Sequence, residues 1–228
     1  METPYLTHIT SEDFKYVYEP AEDSFLLLDA LEADLSKLQS QQPAICTEIG
    51  SGSGVIITAV AKALPQTACF AIDINPRACD VTTRTAAKNG ANLNVINMNL
   101  LNGFRSNVVD VLIFNPPYVV TPDEEIDSYD STSDNPFNDN IIKSWAGGTD
   151  GRLIMDRVFD AMDTILTANG TAYILVIEEN KPKEIIANMK TKGFCGSIVT
   201  ERRIRGEHLF VIRFERVSHA QICKSAIK

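Results

Sequence analysis

The chain has 228 residues, 44% of them apolar and 22% charged, and carries a net charge of −9 at pH 7. This length suits one α/β domain or two small ones and is enough to bury a full core. No apolar run approaches the ~18 residues needed to cross a bilayer, and the acidic balance works against nucleic-acid binding, which rests on neutralised phosphates.

In chain order, residues 1–17 are expected to be irregular, and "METPYLTHITSEDF" has no basic start followed by an apolar stretch. That absence of a leader points to a cytoplasmic or nucleocytoplasmic protein. "AEDSFLLLDALEADLSKL" (21–38) carries Phe25, Leu28, Leu31, Leu35 and Leu38 at helical spacing, with Asp23 or Ser24 near its start. "QSQQP" (39–43) reads as a linker, "AICTEIG" (44–50) as a strand entering glycines, and "VIITAVAKAL" (55–64) as a helix closed by Pro65. "TACFAID" (67–73) is a second strand, and Pro76 opens a helix that Asn89-Gly90 stops. "LNVINM" (93–98) and "VVDVLIF" (108–114) are strands three and four. Residues 119–149 are long and polar, a length that inside a compact domain marks a functional or disordered segment, here placed on the substrate side. A helix over 150–166, a turn at Asn169-Gly170, a strand over 171–177 and a helix over 181–192 follow. The chain closes on a hairpin of "CGSIVTERRI" and "HLFVIRFERV".

This alternation implies an α/β domain, doubly wound, with a mostly parallel seven-stranded sheet and an antiparallel strand from the C-terminal hairpin. Cys46, Cys69, Cys79, Cys195 and Cys223 contain no C-x-x-C pair, and His8, His208 and His219 are scattered, so neither a metal site nor a disulfide framework is expected. Arg202, Arg203 and Arg205 read as a solvated strand face.

In such a sheet the ligand lies beyond the carboxyl ends of the strands. "EIGSGSGV" (48–55) passes from a strand through Gly50, Gly52 and Gly54 into a helix, where glycines let a ligand approach the backbone. The spacing differs from the dinucleotide G-x-G-x-x-G. Glu48, before the first glycine, disfavours a pyrophosphate and favours a cationic ligand, so S-adenosylmethionine fits better than NAD. Asp73 ends the next strand about 20 residues on, where an acid accepts ribose hydroxyls. A helix-capping carboxylate is the weaker reading there, because strand, glycines and acid fall in register. Asn99 follows the third strand, either facing the adenine or as a turn residue. Tyr18-Glu19-Pro20 is either a plain helix start or a lid, with Ser24 bonding the methionine carboxylate; the residues leave both open.

Asn115-Pro116-Pro117-Tyr118 ends a central strand. Proline terminates a sheet ladder, and here it also stiffens a carbonyl beside an amide and a ring. Methylation of a planar nitrogen requires its lone pair to be turned toward the methyl group. The Asn115 side-chain oxygen and the Pro116 carbonyl can accept its two N–H protons, and Tyr118 offers a π-face. Such alignment supplies rate through orientation, without a strong general base.

Together "VYEPAEDSFLLLDALE", "EIGSGSGV", "DINP", "FNPPYVVTP", "WAGG" with "DG", and the final hairpin resemble the eukaryotic release-factor glutamine methyltransferases of the HemK family, a Rossmann-like class I group. The likeness runs from about Tyr16 to Phe214. N-P-P-Y alone is shared with adenine DNA methyltransferases; "YEPAEDS" is more specific. The resemblance implies N5-methylation of the glutamine in the Gly-Gly-Gln loop of a class I release factor, with S-adenosylmethionine as donor and S-adenosylhomocysteine as product. It puts Ser24, Glu48, Gly50, Gly52, Asp73, Asn99, Leu100 and Asn115 at cofactor positions, and Asn115, Pro116, Pro117 and Tyr118 around the glutamine. The family has Asp where this chain has Asn99, and the 119–149 segment is longer than its counterpart. Adenine and histone lysine remain alternative acceptors. A heterodimer with a small zinc-binding activator is also implied. In the family's strand order 93–98 is an edge, and Leu93, Val95, Ile96 and Met98 would leave it apolar for a partner strand to cover.

Overall fold

A computed structural model describes residues 1–123, 141 and 144–217. Its sheet comprises β1 (Ile45–Ile49), β2 (Ala68–Asp73), β3 (Asn94–Asn97), β4 (Val109–Phe114), β5 (Leu166–Ile177), β6 (Phe194–Ile204) and β7 (Glu207–Arg216). The strand order is β3-β2-β1-β4-β5-β7-β6. Neighbours pair in parallel except at β7, which runs antiparallel to both β5 and β6. The doubly wound, mostly parallel sheet expected from the sequence is therefore present, with β3 at one edge.

The central strands read as unbroken apolar runs because both faces are covered. β4, VDVLIF, is buried at every position but Asp110. α1 (Glu22–Ala33), α3 (Val55–Ala63) and α4 (Pro76–Lys88) pack in a row on one face, α1 across β5, β7 and β6, α3 and α4 across β1, β2 and β3. α5 (Leu153–Ile165) and α6 (Pro182–Thr191) cover the other face. There Phe159 meets Phe214 edge-on at 5.6 Å, and Gly196 lets Phe214 and Ile186 close in. Local chemistry sets the start of α4: the Asn75 side chain caps it by accepting the Arg77 N–H at 2.9 Å, and Pro76 fills the first turn.

Two elements differ from the periodicity. The helix expected over 21–38 is broken at Asp34, and α2 (Leu35–Gln41) continues into the stretch expected to be a linker. The Asp34 carboxylate accepts the Tyr173 hydroxyl at 2.9 Å and the Arg213 guanidinium at 2.6 Å, so contacts with the sheet bend the chain where its apolar spacing does not. β5 begins at Leu166 rather than after a turn at 169–170; a register shift against Val109 and Val111 absorbs the extra residues as a bulge. Among the described residues no helix is long and apolar enough to cross a membrane. Of the 119–149 segment, 124–140 and 142–143 lie outside the described residues, as do Cys223 and His219.

Candidate active site

Ile49 pairs with Phe114, so Gly50 and Asn115 leave the sheet side by side. This is the switch point, where the strand order reverses and open α/β sheets hold their ligands. The N–H groups of Gly50 and Ser51 donate to the Ile72 carbonyl at 2.7 and 3.1 Å, which folds the loop onto β2. Gly50, Gly52 and Gly54 have φ of 67°, 52° and 76°, conformations that disfavour a side chain. Their tasks differ. A Cβ on Gly54 would lie 2.8 Å from the Thr82 Cα, so that glycine serves the packing of α3 on α4. A Cβ on Gly50 or Gly52 would meet nothing nearer than 4.0 Å, so these two border open space into which a ligand can come.

Asp73 accepts the Gly52 N–H at 3.0 Å on one oxygen and the Asn75 N–H at 2.8 Å on the other. Each oxygen keeps a second lone pair, so the same carboxylate can take two ribose hydroxyls. Burial raises its pKa, against the pull of those N–H donors. Glu48 is 1% exposed, and its carboxylate accepts the Ile57 N–H at 3.0 Å. Burial pushes its pKa well up; the Ile57 bond opposes this and the charge of Asp73 adds to it. A bound cation would offset that cost, which suits the ammonium and sulfonium of S-adenosylmethionine.

One open cavity is lined by all the residues expected from the sequence: Ser24, Glu48, Gly50, Gly52, Asp73, Asn99, Leu100 and the 115–118 tetrapeptide. Leu100 forms part of its wall with a left-handed φ of 48°, a conformation that costs a non-glycine residue about 1–2 kcal/mol.

The tetrapeptide is clamped from three directions. The Asn115 Nδ2 donates to the Asp23 carboxylate at 2.9 Å, and the Tyr118 hydroxyl donates to the same oxygen at 3.4 Å. Asn180, fully buried, donates to the carbonyls of Tyr118 and Asp150, both at 2.9 Å. The "WAGG" and "DG" glycines lie directly behind: a Cβ on Gly147 would be 2.5 Å from the Pro117 oxygen, and one on Gly151 would be 2.0 Å from the Tyr118 oxygen. Val119 and Ala146 form a parallel bridge, in which Val119 N–H donates to the Trp145 carbonyl at 3.0 Å and Gly147 N–H to the Val119 carbonyl at 2.8 Å. With its chain thus held, Asn115 Oδ1 is buried and has no hydrogen-bond partner among the described residues. An orphan acceptor costs about 1–3 kcal/mol, which a ligand N–H would relieve.

Sequence reasoning took Asp23 only as the start of a helix. The structure buries it at the centre of the site, 3% exposed. Its partners Asn115 and Tyr118 lie 92 and 95 residues away, so no local pattern announces them. Trp145 and Arg157 also line the cavity and were missed. Tyr16, Val17, Tyr18 and Pro20 line the cavity, and the Tyr16 carbonyl accepts the Asn75 Nδ2 at 2.8 Å, so the segment forms one wall of the site. Arg84 on α4 anchors it through Asp13 at 2.6 Å and, with help from Thr10, holds that carboxyl down to about 2. Ser24 lines the cavity with its hydroxyl 3.3 Å from Asp23.

Comparisons with known proteins place the chain among methyltransferases. The sequence model of the methyltransferase small domain family matches residues 23–130. The chain is 41% identical over 218 residues to the human methyltransferase HEMK2, covering 94% of this chain and 96% of that protein. It is 33% identical over 233 residues to the Schizosaccharomyces pombe eRF1 methyltransferase catalytic subunit mtq2, covering 96% and 97%. Among solved structures, it is similar to the E. cuniculi Mtq2-Trm112 complex responsible for the methylation of the eRF1 translation termination factor. That match has a TM-score of 0.65 and 32% identity, and covers 88% of this chain and 98% of the other.

Proposed function

The chain belongs to the HemK-type methyltransferase family that includes HEMK2 and Mtq2, and on that premise we propose that it is the catalytic subunit that methylates N5 of the glutamine in the Gly-Gly-Gln loop of the eukaryotic class I release factor. The observation that carries this reading is the Asn115 Oδ1, an acceptor with no partner among the described residues, at the carboxyl end of β4 beside Gly50. S-adenosylmethionine, when bound, supplies an electrophilic methyl group. Gly50 and Gly52 leave room for it, Asp73 takes its ribose hydroxyls, Glu48 faces its positive charge, and Asn99 and Leu100 border its adenine. Ser24 sits at the methionine end.

The acceptor nitrogen is handled by the tetrapeptide. Asn115 Oδ1 and the Pro116 carbonyl accept its N–H protons and turn its lone pair out of conjugation, while the Tyr118 ring supports the plane of the amide. Proton loss follows attack, so no base of high pKa is needed beforehand, and orientation does most of the work. The similar Mtq2 structure is a complex with Trm112, and the partner in this reading is a small zinc-binding activator seated on the β3 edge. The enzyme would work in the cytoplasm, or in both cytoplasm and nucleus.

The test is radiolabelled methyl transfer by the full chain co-expressed with such an activator. The substrates are release factor, its loop Gln→Ala variant, DNA and histones. Label is expected on release factor and lost with the loop variant; equal label on that variant, or preferential label on DNA or histone, would overturn the assignment. Asn115→Ala should lower transfer by ~10²-fold or more while donor affinity changes only a few-fold.

A further inference from the structure

The Asp23 carboxylate is 3% exposed, and every partner found for it is a neutral donor. One oxygen accepts the Ser24 N–H at 2.6 Å and the Ser24 hydroxyl at 3.3 Å; the other accepts the Asn115 Nδ2 and the Tyr118 hydroxyl. Tyr18 adds its hydroxyl to the same group. Burial, with the negative charge of Asp23 second, pushes the phenols of Tyr18 and Tyr118 well up, so both stay protonated and serve as donors. Burying a carboxylate is costly even when it is hydrogen-bonded, and α1 already has Leu27, Leu28 and Leu31 for its packing. The start of α1 accounts for one oxygen, which takes the first-turn Ser24 N–H, but not for the other, which faces Asn115 and Tyr118.

Its effect on Asn115 explains it. A primary amide has one accepting and one donating end, and rotation by half a turn exchanges them. A carboxylate has no hydrogen to give. Only the NH₂ end of Asn115 can face Asp23, and the oxygen is thereby directed elsewhere, where it lies buried and unpaired. We propose that Asp23 is a positioning residue for methyl transfer, which fixes the Asn115 amide with its oxygen toward the acceptor nitrogen and uses the Tyr118 hydroxyl as the second tether. The first turn of α1 is in this way part of the catalytic apparatus. This role rests on the reading of Asn115 given above. It also gives Tyr118 two separable tasks, a ring face for the acceptor and a hydroxyl for the carboxylate.

Asp23→Asn is the informative change because it keeps the size and removes the discrimination: a second amide can face either end of Asn115. Full chain with its activator would be assayed as wild type, Asp23→Asn, Asn115→Ala and the double variant, with donor affinity and melting temperature measured for each. Asp23→Asn should lower kcat by ~10–100-fold with KM for release factor and donor affinity within a few-fold, and the double variant should be no slower than Asn115→Ala alone. In parallel, the Asn115 side-chain amide resonances, identified by their loss in Asn115→Ala, should lie downfield in the wild type and return on Asp23→Asn. Multiplicative losses in the double variant, a loss confined to KM, or an amide resonance that Asp23→Asn leaves in place would each overturn the role. If the wild type fails to label release factor, the acceptor reading falls, while the amide resonances still decide whether Asp23 sets Asn115.

Discussion

Gly151 has φ of +66°, and the methyl group of an alanine there would fall 2.0 Å from the Tyr118 carbonyl oxygen. Gly151→Ala should therefore cost about 1–3 kcal/mol from backbone strain alone, seen in denaturant melts. Because the collision presses on the tetrapeptide, methyl transfer should fall more than donor affinity does; a variant of full stability and activity would contradict the close packing. Glu48 makes a prediction of a different kind. Burial raises its pKa in the free protein, so, unlike an acid held in a salt bridge, it costs stability as pH rises through the ordinary carboxylate range. A cation beside it lowers that pKa again, so donor binding releases a proton and affinity should rise with pH until it passes the free-protein value, then level off. Calorimetry in buffers of different ionisation enthalpy counts the protons, and Glu48→Gln should remove its share; no release in the wild type would refute the link. The glycines, Asp73 and the tetrapeptide were legible in the sequence because each announces itself within a few residues. Asp23 was not, because its meaning lies in Asn115 and Tyr118, distant in sequence and adjacent only once α1 meets the end of β4.

At the scale of elements β3 is one of the sheet's two edges, four residues long and paired on one side by β2. Leu93, Val95 and Met98 are half-buried against the core, and Ile96 is half-buried beside them. An unpaired apolar edge invites association. The chain expressed alone should be poorly soluble and co-expression with an activator should rescue it. Ile96→Lys should improve the yield of lone chain while weakening capture of the activator. Abundant, stable monomer from the unmodified chain would count against β3 as the docking edge. The strands were readable because period-two and continuous apolar runs are strong signals, whereas the order that puts β3 at an edge was only implied by the family resemblance. The break at Asp34 and the bulge in β5 were not, since both are imposed by partners on other elements: Tyr173 and Arg213 on the one, Val109 on the other.

For the whole molecule, a charge of −9 sets up a long-range field. It speeds encounter with a basic protein surface and slows encounter with nucleic acid. kcat/KM for release factor should fall as salt rises from 50 to 300 mM, roughly in the range where the Debye length shrinks to a few ångströms, whereas donor affinity, set inside a cavity, should change little. A rate that ignores salt would show that charge plays no part in recognition. The parallel bridge between Val119 and Ala146 has a further consequence. It joins the two ends of the polar segment at its root, so the positions of Tyr118 and Gly147 do not depend on what lies between. Closing a loop of twice the length costs only about 0.6 kcal/mol more. The intervening stretch can therefore be lengthened, shortened or rewritten at little cost to the geometry that the bridge holds at its root.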